Sequence, residues 1–358
     1  MSGGPPAWLV LPPRWVRRPV SFVVVLGLAF TATLLPLLVV LAVVLSVVLP
    51  GRWRVLRLLG FALVYLVVET VGLAVALVLW VATGLGWWLR ADWSVRAHYA
   101  VLRLVLVAIV GCARPLFGLR VVDDEVGWSP LDDGVPGSEN AMLVLSRHAG
   151  PGDSLLLVHT LLGRDHARRP RIVLKDLLQL DPLVDVYLNR LPNAFLQAGA
   201  DDSTARVARL ADGLGDEDAL LIFPEGGNFS EGRRRRAIDR LRMKGMEPQA
   251  AAAERMRHLL PPRPGGVAAA LAAAPHADVV LVAHTGLEHL STAADIWDGL
   301  PMDSTVRMRW WFVPAADVPR EPQQLERWLY DRWADLDRWV ADRTSAGPTT
   351  GPDRRGQD

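Results

Sequence analysis

His148 and Asp153 lie five residues apart, directly after an apolar run over residues 141–145. The composition of that run predicts a buried strand. In a continuous helix, side chains five residues apart would point about 140° away from each other. Three residues between them disfavour a helix: Gly150, Pro151 and Gly152. Asp153 is predicted as the N-cap of the next helix, so we expect the turn to fold His148 back towards the Asp153 carboxylate.

An imidazole held in one tautomer by a carboxylate is suited to taking a proton from a hydroxyl group near neutral pH. The functional interpretation of His148 is therefore a general base that is oriented by Asp153. The alternative is an ordinary strand-to-helix turn with a surface histidine and a capping aspartate. The spacing of these two residues does not by itself decide between the two.

A second polar corner follows another apolar run, residues 219–223, and reads Phe223-Pro-Glu-Gly226. This corner and the His-x4-Asp pair, in this order and each at a strand end, resemble the third and first signature blocks of the glycerolipid acyltransferase superfamily. The resemblance is to its lysophosphatidate acyltransferase group in particular, and it covers about residues 140–285.

The resemblance implies transfer of a fatty acyl group from an acyl-CoA or acyl carrier protein thioester to a lipid hydroxyl. His148 would be the general base, and Asp153 would fix its tautomer and stabilise the imidazolium. Because the acceptor supplies the nucleophile, no acyl-enzyme is needed. No metal and no resident cofactor are implied, since the acyl donor is a co-substrate. The backbone N–H groups of residues 150–154 are candidates for holding the oxyanion or a phosphate.

Glu225 and Gly226 correspond to the Glu-Gly pair that the family associates with the acceptor site. Gly226 and Gly227 let the backbone approach a ligand closely. Beyond them the match ends, because the lysophosphatidate enzymes commonly continue Thr-Arg-Ser and this chain has Asn228 after Gly227. An amide does not replace the bidentate guanidinium expected at the acceptor phosphate, which counts against phosphatidate synthesis in particular.

Basic residues are concentrated directly after this corner: Arg233, Arg234, Arg235, Arg236, Arg240, Arg242 and Lys244. Arg233 and Arg234 are the candidates for binding the phosphates of CoA, the acceptor head group or anionic lipid. The alternative is a solvated basic loop that is held near a membrane by charge alone. Arg190, out of register beside a loosely matching second block, is a further candidate for substrate binding. His284 ends the strand of the fourth block, where a structural role is favoured over a role in the site.

The elements that position these residues are short apolar runs alternating with helical stretches from residue 141 onward. Strands are predicted over 141–146, 171–174, 193–196, 219–223, 279–283 and 306–313. Helices are predicted near 153–163, 203–214, 248–260, 265–274 and 322–343. This alternation predicts an α/β domain with a mostly parallel sheet covered by helices. In such sheets ligands bind at strand ends, where both motifs stand.

Two long apolar runs precede this domain, Pro19 to Pro50 and Leu58 to Trp88. Each exceeds the about 20 residues needed to cross a bilayer, and the first is too long for a signal-peptide core. We expect an N-terminal membrane helical hairpin, kinked near Pro36, that either crosses the bilayer twice or lies embedded in one leaflet. Both arrangements place the catalytic domain on the cytoplasmic face of the cell membrane if the N-terminus is cytoplasmic.

The chain is expected to have three parts. Residues 1–120 would hold the membrane-embedded helices and, from residue 94, an interfacial helix or a helix packed on the soluble domain. Residues 121–343 would form the α/β acyltransferase domain, and residues 344–358 a disordered tail. The formal net charge of +1 argues against nucleic acid as a partner. Cys112 is the single cysteine, so the chain has no disulfide framework or Cys-based metal site.

The hypothesis is a membrane-bound O-acyltransferase acting on a lysophospholipid such as 1-acylglycerol-3-phosphate, or on a related lipid acceptor. Its expected partners are membrane lipid and the acyl-CoA or acyl carrier protein donor. One alternative is a hydrolase of acyl-CoA or lipid esters, with water as the acceptor. Another is a non-catalytic lipid-binding relative that has kept the fold. The sequence contains no Gly-x-Ser-x-Gly elbow, which disfavours a serine lipase.

Overall fold

The computed structural model describes residues 11–49, 51, 53–123, 140–150, 152–163, 168–196, 203–288 and 297–345. The strands in these residues are β1 Arg120–Asp123, β2 Met142–Ser146, β3 Arg169–Lys175, β4 Ala194–Leu196, β5 Asp218–Ile222, β6 Asp278–Thr285 and β7 Thr305–Val313. They form one sheet in the order β1-β7-β6-β2-β5-β3-β4. The strands from β6 to β4 in this order are parallel to one another, whereas β7 is antiparallel to β6 and parallel to β1. The predicted mostly parallel sheet is confirmed.

The helices in the described residues are α1 Arg14–Thr31, α2 Leu35–Val48, α3 Arg54–Ala82, α4 Asp92–Phe117, α5 Asp153–Leu161, α6 Pro182–Arg190, α7 Ser203–Ala211, α8 Glu231–Met243, α9 Glu247–Arg255, α10 Pro264–Ala273 and α11 Pro322–Ser345. Helices α4 and α5 cover one face of the sheet, and α7, α10 and α11 cover the other. Successive strand residues point to opposite faces, so Leu143 and Leu145 belong to one core and Met142 and Val144 to the other. All five residues of β2 are buried, as expected for a strand with both faces covered.

The three central strands end at the same edge of the sheet. Leu145 of β2 pairs with Ile222 of β5 on one side and with Leu281 of β6 on the other. The residues that follow β2 and β5, and those at the end of β6, therefore emerge side by side. This register brings the two sequence motifs together.

The first apolar run forms two helices rather than one, which corrects the sequence prediction. Helix α1 ends at Thr31, a 3₁₀ turn covers Ala32–Leu34, and α2 leaves at 76° to α1. Pro36 lies in the first turn of α2, where a missing N–H costs no helical hydrogen bond. The chain therefore bends immediately before the proline that was predicted to cause a kink.

Helices α3 and α4 are long and apolar enough to cross a membrane, judged by length and composition. Helix α3 packs along both α2 and α4, so the hairpin predicted from the two apolar runs is extended by a third helix. Helix α3 ends at Ala82, short of the Trp88 boundary expected from hydropathy, and turns follow as far as residue 91.

Helix α4 is a covering layer of the sheet. Tyr99, Leu102 and Leu106 are buried in the same core as residues of β2, β3, β6 and β7. The Tyr99 hydroxyl also donates to the backbone oxygen of Pro170 in β3, at 3.0 Å. The sequence left open whether this segment is an interfacial helix or a helix packed on the soluble domain. The structure shows it packed on the α/β domain, with Leu104 on the exposed side.

Helix α3 contacts the α/β domain at its start and again in its second half. Arg54 Nε donates to the backbone oxygen of Leu300 at 3.3 Å. Further along the helix, the Tyr187 hydroxyl of α6 donates to the oxygen of Gly72 at 2.9 Å. A Cβ at position 72 would collide with Leu183 of α6, so glycine permits this close approach. Helix α3 therefore lies along the domain instead of projecting away from it.

Helix α1 is attached to α6 by a buried ion cluster. Arg17 and Arg18 both pair with Asp185, at 2.6 Å and 2.8 Å, and the Asp185 side chain is buried. A buried carboxylate needs such partners to remain charged. The N-terminal helices are thus joined to the domain by specific polar contacts.

Most predicted elements agree with the structure to within a few residues, and the exceptions have a common cause. The sequence interpretation missed β1, α6 and α8, none of which has a clear apolar periodicity. The basic segment is a helix and not a loop, which corrects the conformation in the predicted alternative, and in α8 only Ile238 is buried. Whether charge alone holds this segment near a membrane stays a prediction. Ser230 and Glu231 were the available signal, an N-cap serine followed by an acidic first turn. The predicted boundary segment and tail fall largely outside the described residues, at 124–139 and 346–358.

Candidate active site

The first motif forms the contact that its sequence predicted. His148 Nδ1 lies 2.9 Å from Asp153 Oδ2. The His148 ring packs against that of Phe223 with centroids 4.5 Å apart, and its side chain is 15% exposed. Since a carboxylate only accepts hydrogen bonds, Nδ1 carries a proton, and Nε2 is the ring nitrogen that can act as a base.

Asp153 is not the N-cap, which corrects the prediction by one residue. Gly152 takes that place with a φ of +95°, a conformation that favours glycine, and Asp153 is the first helical residue. Its carboxylate reaches back and accepts N–H hydrogen bonds from Ala149 at 3.0 Å, Gly150 at 3.2 Å and Ser154 at 2.8 Å. Gly150 and Ser154, which were candidates for holding an oxyanion, therefore have their N–H groups committed to Asp153.

The hydrogen bonds around Asp153 favour its charged form. Burial acts to raise the pKa of this carboxyl, but the hydrogen bond from His148, the charges of His284 and His148 and the Gly150 N–H together hold the pKa below its usual value. Asp153 is thus an anion throughout the neutral range and can stabilise an imidazolium at His148.

Glu225 joins the second motif to the first. One carboxylate oxygen accepts from the His148 N–H at 3.1 Å, and the other accepts from the Leu260 N–H at 3.0 Å. Burial raises the pKa of Glu225 to about 8, against the lowering effects of Arg147 and of the two N–H donors. The structure therefore gives Glu225 a positioning contact with the catalytic turn, and its predicted contact with the acceptor stays a prediction.

Arg147 lies beneath the turn and was missed in the sequence. Its side chain is 1% exposed. It pairs with Glu288 at 2.7 Å and donates to the backbone oxygens of His258 at 3.2 Å and His284 at 2.5 Å. A buried guanidinium with these partners ties two chain segments, one at residue 258 and the other at 284–288, to the turn that holds His148. Its place next to the motif histidine was the only sequence signal.

His284 lies behind Asp153, on the side away from solvent. Its Nε2 is 3.2 Å from the backbone oxygen of Arg147 and 3.8 Å from Asp153 Oδ2. Burial, together with the positive charge of Arg147, lowers the pKa of His284 to about 4. His284 is therefore a neutral, buried neighbour of the motif, as the favoured structural interpretation predicted.

Residues 256–263 form a strap that holds the second side of the site. The Asp337 carboxylate in α11 accepts from the N–H groups of Arg257 at 3.0 Å, His258 at 2.6 Å and Leu259 at 2.9 Å. Asp337 was not identified from sequence. The available signal was one carboxylate on the otherwise apolar face of the last helix.

Three further residues were predicted to bind substrate: Asn228 and Arg233, which contact each other, and Arg234, which is bound by backbone oxygens. Arg233 Nη1 donates to the backbone oxygen of Asn228 at 3.0 Å, and the Asn228 Oδ1 is buried with no hydrogen-bond partner among the described residues. Arg234 is engaged by backbone, donating to Met256 at 2.5 Å and to Glu254 at 2.7 Å.

Arg190 has its contacts among the N-terminal helices. Its Nη1 donates to the oxygen of Ala76 in α3 at 2.8 Å and lies 3.2 Å from His98 Nε2 in α4. These contacts place it in the interface of α3, α4 and α6 rather than beside His148.

A cavity of about 700 Å³ adjoins the second motif. Glu225, Gly226, Gly227 and Leu260 form one wall, and the opposite wall belongs largely to α8. The His148 backbone N–H donates to Glu225, which lines the cavity, whereas the His148 side chain is not one of the lining residues. The cavity therefore adjoins the turn through Glu225.

The fold and these contacts place a histidine that is oriented by a buried carboxylate at the carboxyl edge of the parallel strands. The acyltransferase family model matches residues 132–285 of the chain. This match confirms, over these residues, the resemblance to the glycerolipid acyltransferase superfamily that the two motifs predicted.

Among solved structures, the chain is similar to the crystal structure of the 1-acyl-sn-glycerophosphate (LPA) acyltransferase PlsC from Thermotoga maritima. The two share 13% identity with a TM-score of 0.43, and the alignment covers 92% of this chain and 98% of that one. No curated protein matches the sequence.

Proposed function

We propose that the protein is an O-acyltransferase that transfers a fatty acyl group from a thioester to the hydroxyl of a lysophospholipid or a related lipid. The observation that carries this proposal is the 2.9 Å contact between His148 Nδ1 and buried Asp153, which leaves Nε2 as the base. The membership of residues 132–285 in the acyltransferase family supports the same chemistry.

In the proposed reaction, His148 Nε2 takes the proton of the acceptor hydroxyl while the hydroxyl oxygen attacks the thioester carbonyl carbon. The new C–O bond forms, the C–S bond breaks, and the thiolate takes the proton back from the imidazolium. Asp153 stabilises the imidazolium between these two transfers. The products are an ester and a free thiol, and neither a metal nor a resident cofactor takes part.

The donor in this proposal is acyl-CoA or acyl carrier protein, and the acceptor is a lysophospholipid such as 1-acylglycerol-3-phosphate. The support for a phosphate-bearing substrate is the basic wall of the cavity, to which Arg233 contributes. The absence of an arginine at position 228 leaves acceptors other than 1-acylglycerol-3-phosphate equally open.

We further propose that the protein lies on the cytoplasmic face of the cell membrane, with its N-terminal helices embedded in one leaflet. The large exposed apolar side chains are concentrated on α1, α2 and α3 and on the turn after α3, where Trp87 is 86% exposed. The contacts of α3 with Leu300 and Tyr187 hold this helix along the domain, which favours embedding over spanning.

The assay for acyl transfer uses purified protein in detergent, labelled acyl-CoA and a panel of lyso-acceptors. Wild type should form labelled diacyl product, and His148→Ala should lower the rate by about 10²- to 10⁴-fold because the general base is lost. The matched control is His276→Ala, since His276 is exposed and outside the site. Free fatty acid without acylated acceptor would indicate the hydrolase, and no turnover by a folded protein would indicate a non-catalytic relative.

The membrane arrangement is tested by labelling single cysteines in sealed vesicles with an impermeant maleimide. The background is Cys112→Ser, because Cys112 is the single cysteine. In an embedded hairpin, Arg90→Cys at the turn after α3 should react only from the side that labels Asp342→Cys in α11. Reaction of Arg90→Cys from the opposite side would show that α3 spans the bilayer.

A further inference from the structure

Six basic side chains line the cavity beside Glu225: Lys175, Arg233, Arg236, Arg240, Lys244 and Arg263. The carboxylates that line it are Glu225 and Glu326, and Glu225 is already bound to two backbone N–H groups. Six cations around about 700 Å³ create a strong positive potential in a concave surface. The cavity therefore has an excess of positive charge that its own walls do not neutralise.

One wall of the cavity is a single face of α8. Arg233, Arg236, Arg240 and Lys244 follow each other at three- and four-residue spacing, which places them on the same side of the helix. From Arg233 to Lys244 the helical rise amounts to about 16 Å. One phosphate group cannot reach both ends of this row, because N–H···O hydrogen bonds to phosphate are only about 2.8 Å long.

The arginines on the other side of α8 differ in their partners. Arg235 pairs with Glu231 at 3.0 Å, Arg242 pairs with Glu254, and Arg234 is held by backbone oxygens. On the cavity side, Arg240 Nε donates to the backbone oxygen of Arg236 at 3.1 Å, and neither Arg236 nor Arg240 forms an ion pair with a carboxylate among the described residues. Within one helix, the arginines outside the cavity are paired with protein acids, and those inside are left for another anion.

The facing wall brings a further guanidinium to the same space. The Arg263 N–H donates to the backbone oxygen of Pro224 at 2.9 Å, which ties the end of the 256–263 strap to the second motif. The Arg263 guanidinium lies directly against Gly226, because a Cβ built there would be 2.9 Å from Arg263 Cζ. Partial burial and the charge of Arg240 both lower the pKa of Arg263, so the two guanidinium groups repel one another across the cavity.

We propose that this cavity binds a part of the substrate that carries two separated phosphate groups, held between Arg263 on one side and Arg236 and Arg240 on the other. The proposal deepens the proposed acyl transfer and rests on it only for the identity of the ligand. The bisphosphorylated nucleotide of CoA has this chemistry, and so has a lipid head group with more than one phosphate. Acyl carrier protein lacks it, since its phosphopantetheine arm has a single phosphodiester.

Binding is measured first without any acyl transfer, by calorimetry on the full chain in detergent. Adenosine 3′,5′-bisphosphate represents the nucleotide of CoA, inositol 1,4-bisphosphate represents a bisphosphorylated head group, and glycerol 3-phosphate represents a single phosphate. Both bisphosphates should bind at least tenfold more tightly than glycerol 3-phosphate, because charge-assisted hydrogen bonds form at both ends of the cavity. Equal binding of all three probes would overturn the proposal.

The residues are tested with Arg236→Gln and Arg240→Gln, each expected to weaken bisphosphate binding about tenfold or more. Arg235→Gln and Arg242→Gln are the matched controls, since they remove the same charge from the same helix outside the cavity. Equal weakening in all four variants would mean that only the overall charge of α8 matters. Thermal unfolding of each variant verifies that the fold is kept.

Kinetics then assign the source of the phosphates. If the cavity holds the nucleotide of CoA, Arg240→Gln should raise the KM for acyl-CoA about tenfold, leave kcat nearly unchanged, and leave the KM for acyl-pantetheine unaffected. If it holds the acceptor head group, the KM for the acceptor should rise with either donor. Unchanged KM values for both substrates would contradict the proposal. Bisphosphate binding in a protein without turnover would support the cavity and count against the acyltransferase proposal alone.

Discussion

The turn that holds His148 and Asp153 adjoins the basic cavity, and the two regions differ in whether their charged groups are paired within the protein. In the turn, Asp153 is surrounded by three N–H donors and an imidazole, and Arg147 has a carboxylate and two backbone oxygens. In the cavity, Arg240 and Arg263 face each other without a carboxylate partner in the described residues. The turn is preorganised, and its charged groups are paired without a ligand. The cavity has an excess of positive charge that an anionic ligand can neutralise.

Glu225 connects the two regions and belongs to both. Its carboxylate fixes the backbone of the turn at His148 and of the strap at Leu260, and its side chain lines the cavity. Glu225 is therefore the residue through which a change in the cavity reaches the backbone at His148.

The sharpest way to break the turn is Asp153→Asn. The amide cannot stabilise the imidazolium, and its NH₂ group meets N–H donors where the carboxylate accepted hydrogen bonds. We expect kcat to fall about 10²- to 10⁴-fold, measured by transfer of labelled acyl groups. Asp342→Asn on the exposed side of α11 is the control. A folded Asp153→Asn enzyme with near wild-type kcat would show that the turn is not the catalytic part.

Glu225→Gln tests the connection between the two regions. Glutamine offers one acceptor where the carboxylate offers two, so the N–H of His148 or Leu260 loses its partner. The free energy of unfolding should fall by about 1–3 kcal/mol, as measured by urea denaturation. Acyl transfer should fall as well, because the turn and the strap are no longer joined. Unaltered stability would mean that backbone packing alone holds them together.

His284→Gln tests the buried histidine behind Asp153 and leaves His148 in place. The pKa of His284 is lowered to about 4 in the folded protein, whereas an unfolded histidine titrates near about 6.5. Between these values only the unfolded chain gains the proton, so folding stability should fall as the pH decreases through that window. The loss is on the order of 3 kcal/mol.

In the His284→Gln variant this part of the pH dependence should disappear, as measured by urea unfolding at a series of pH values between 4 and 7. His276→Gln is the matched control, because its side chain is exposed and should leave the slope unchanged. A steep slope that persists in His284→Gln would assign the pH dependence to another group.

Gly226→Ala has the smallest expected effect and acts on the cavity side. Gly226 has a φ of +69°, which costs an L-residue about 1 kcal/mol, and the new methyl group would displace the Arg263 guanidinium. Stability should fall by about that amount, and bisphosphate binding should weaken with it. Gly232→Ala in α8 is the control, since open space surrounds that position and alanine favours a helix. Unchanged bisphosphate binding in Gly226→Ala would show that Arg263 does not bind the ligand.

Sequence patterns predicted the strands and motifs well because their signals are local. The apolar runs before Ser146 and Phe223 became β2 and β5, and the glycine-rich turn folded His148 onto Asp153 as expected. Sequence did not predict α8, whose stabilising features are a serine cap and ion pairs rather than an apolar stripe. It also did not identify Asp337, because its partners are backbone N–H groups about 80 residues earlier in the chain.

The sequence by itself determined the class of fold, the contact between His148 and Asp153, and the corner that meets them. Hydrophobic period and turn composition act over a few residues, so one chain segment contains the whole signal. Tertiary structure decided which charges are satisfied: Arg147, Glu225 and Arg234 are committed to the protein, whereas Arg236, Arg240 and Arg263 surround a cavity. That division depends on partners brought together from distant segments, since a buried charge is stable only where the folded chain supplies its hydrogen bonds.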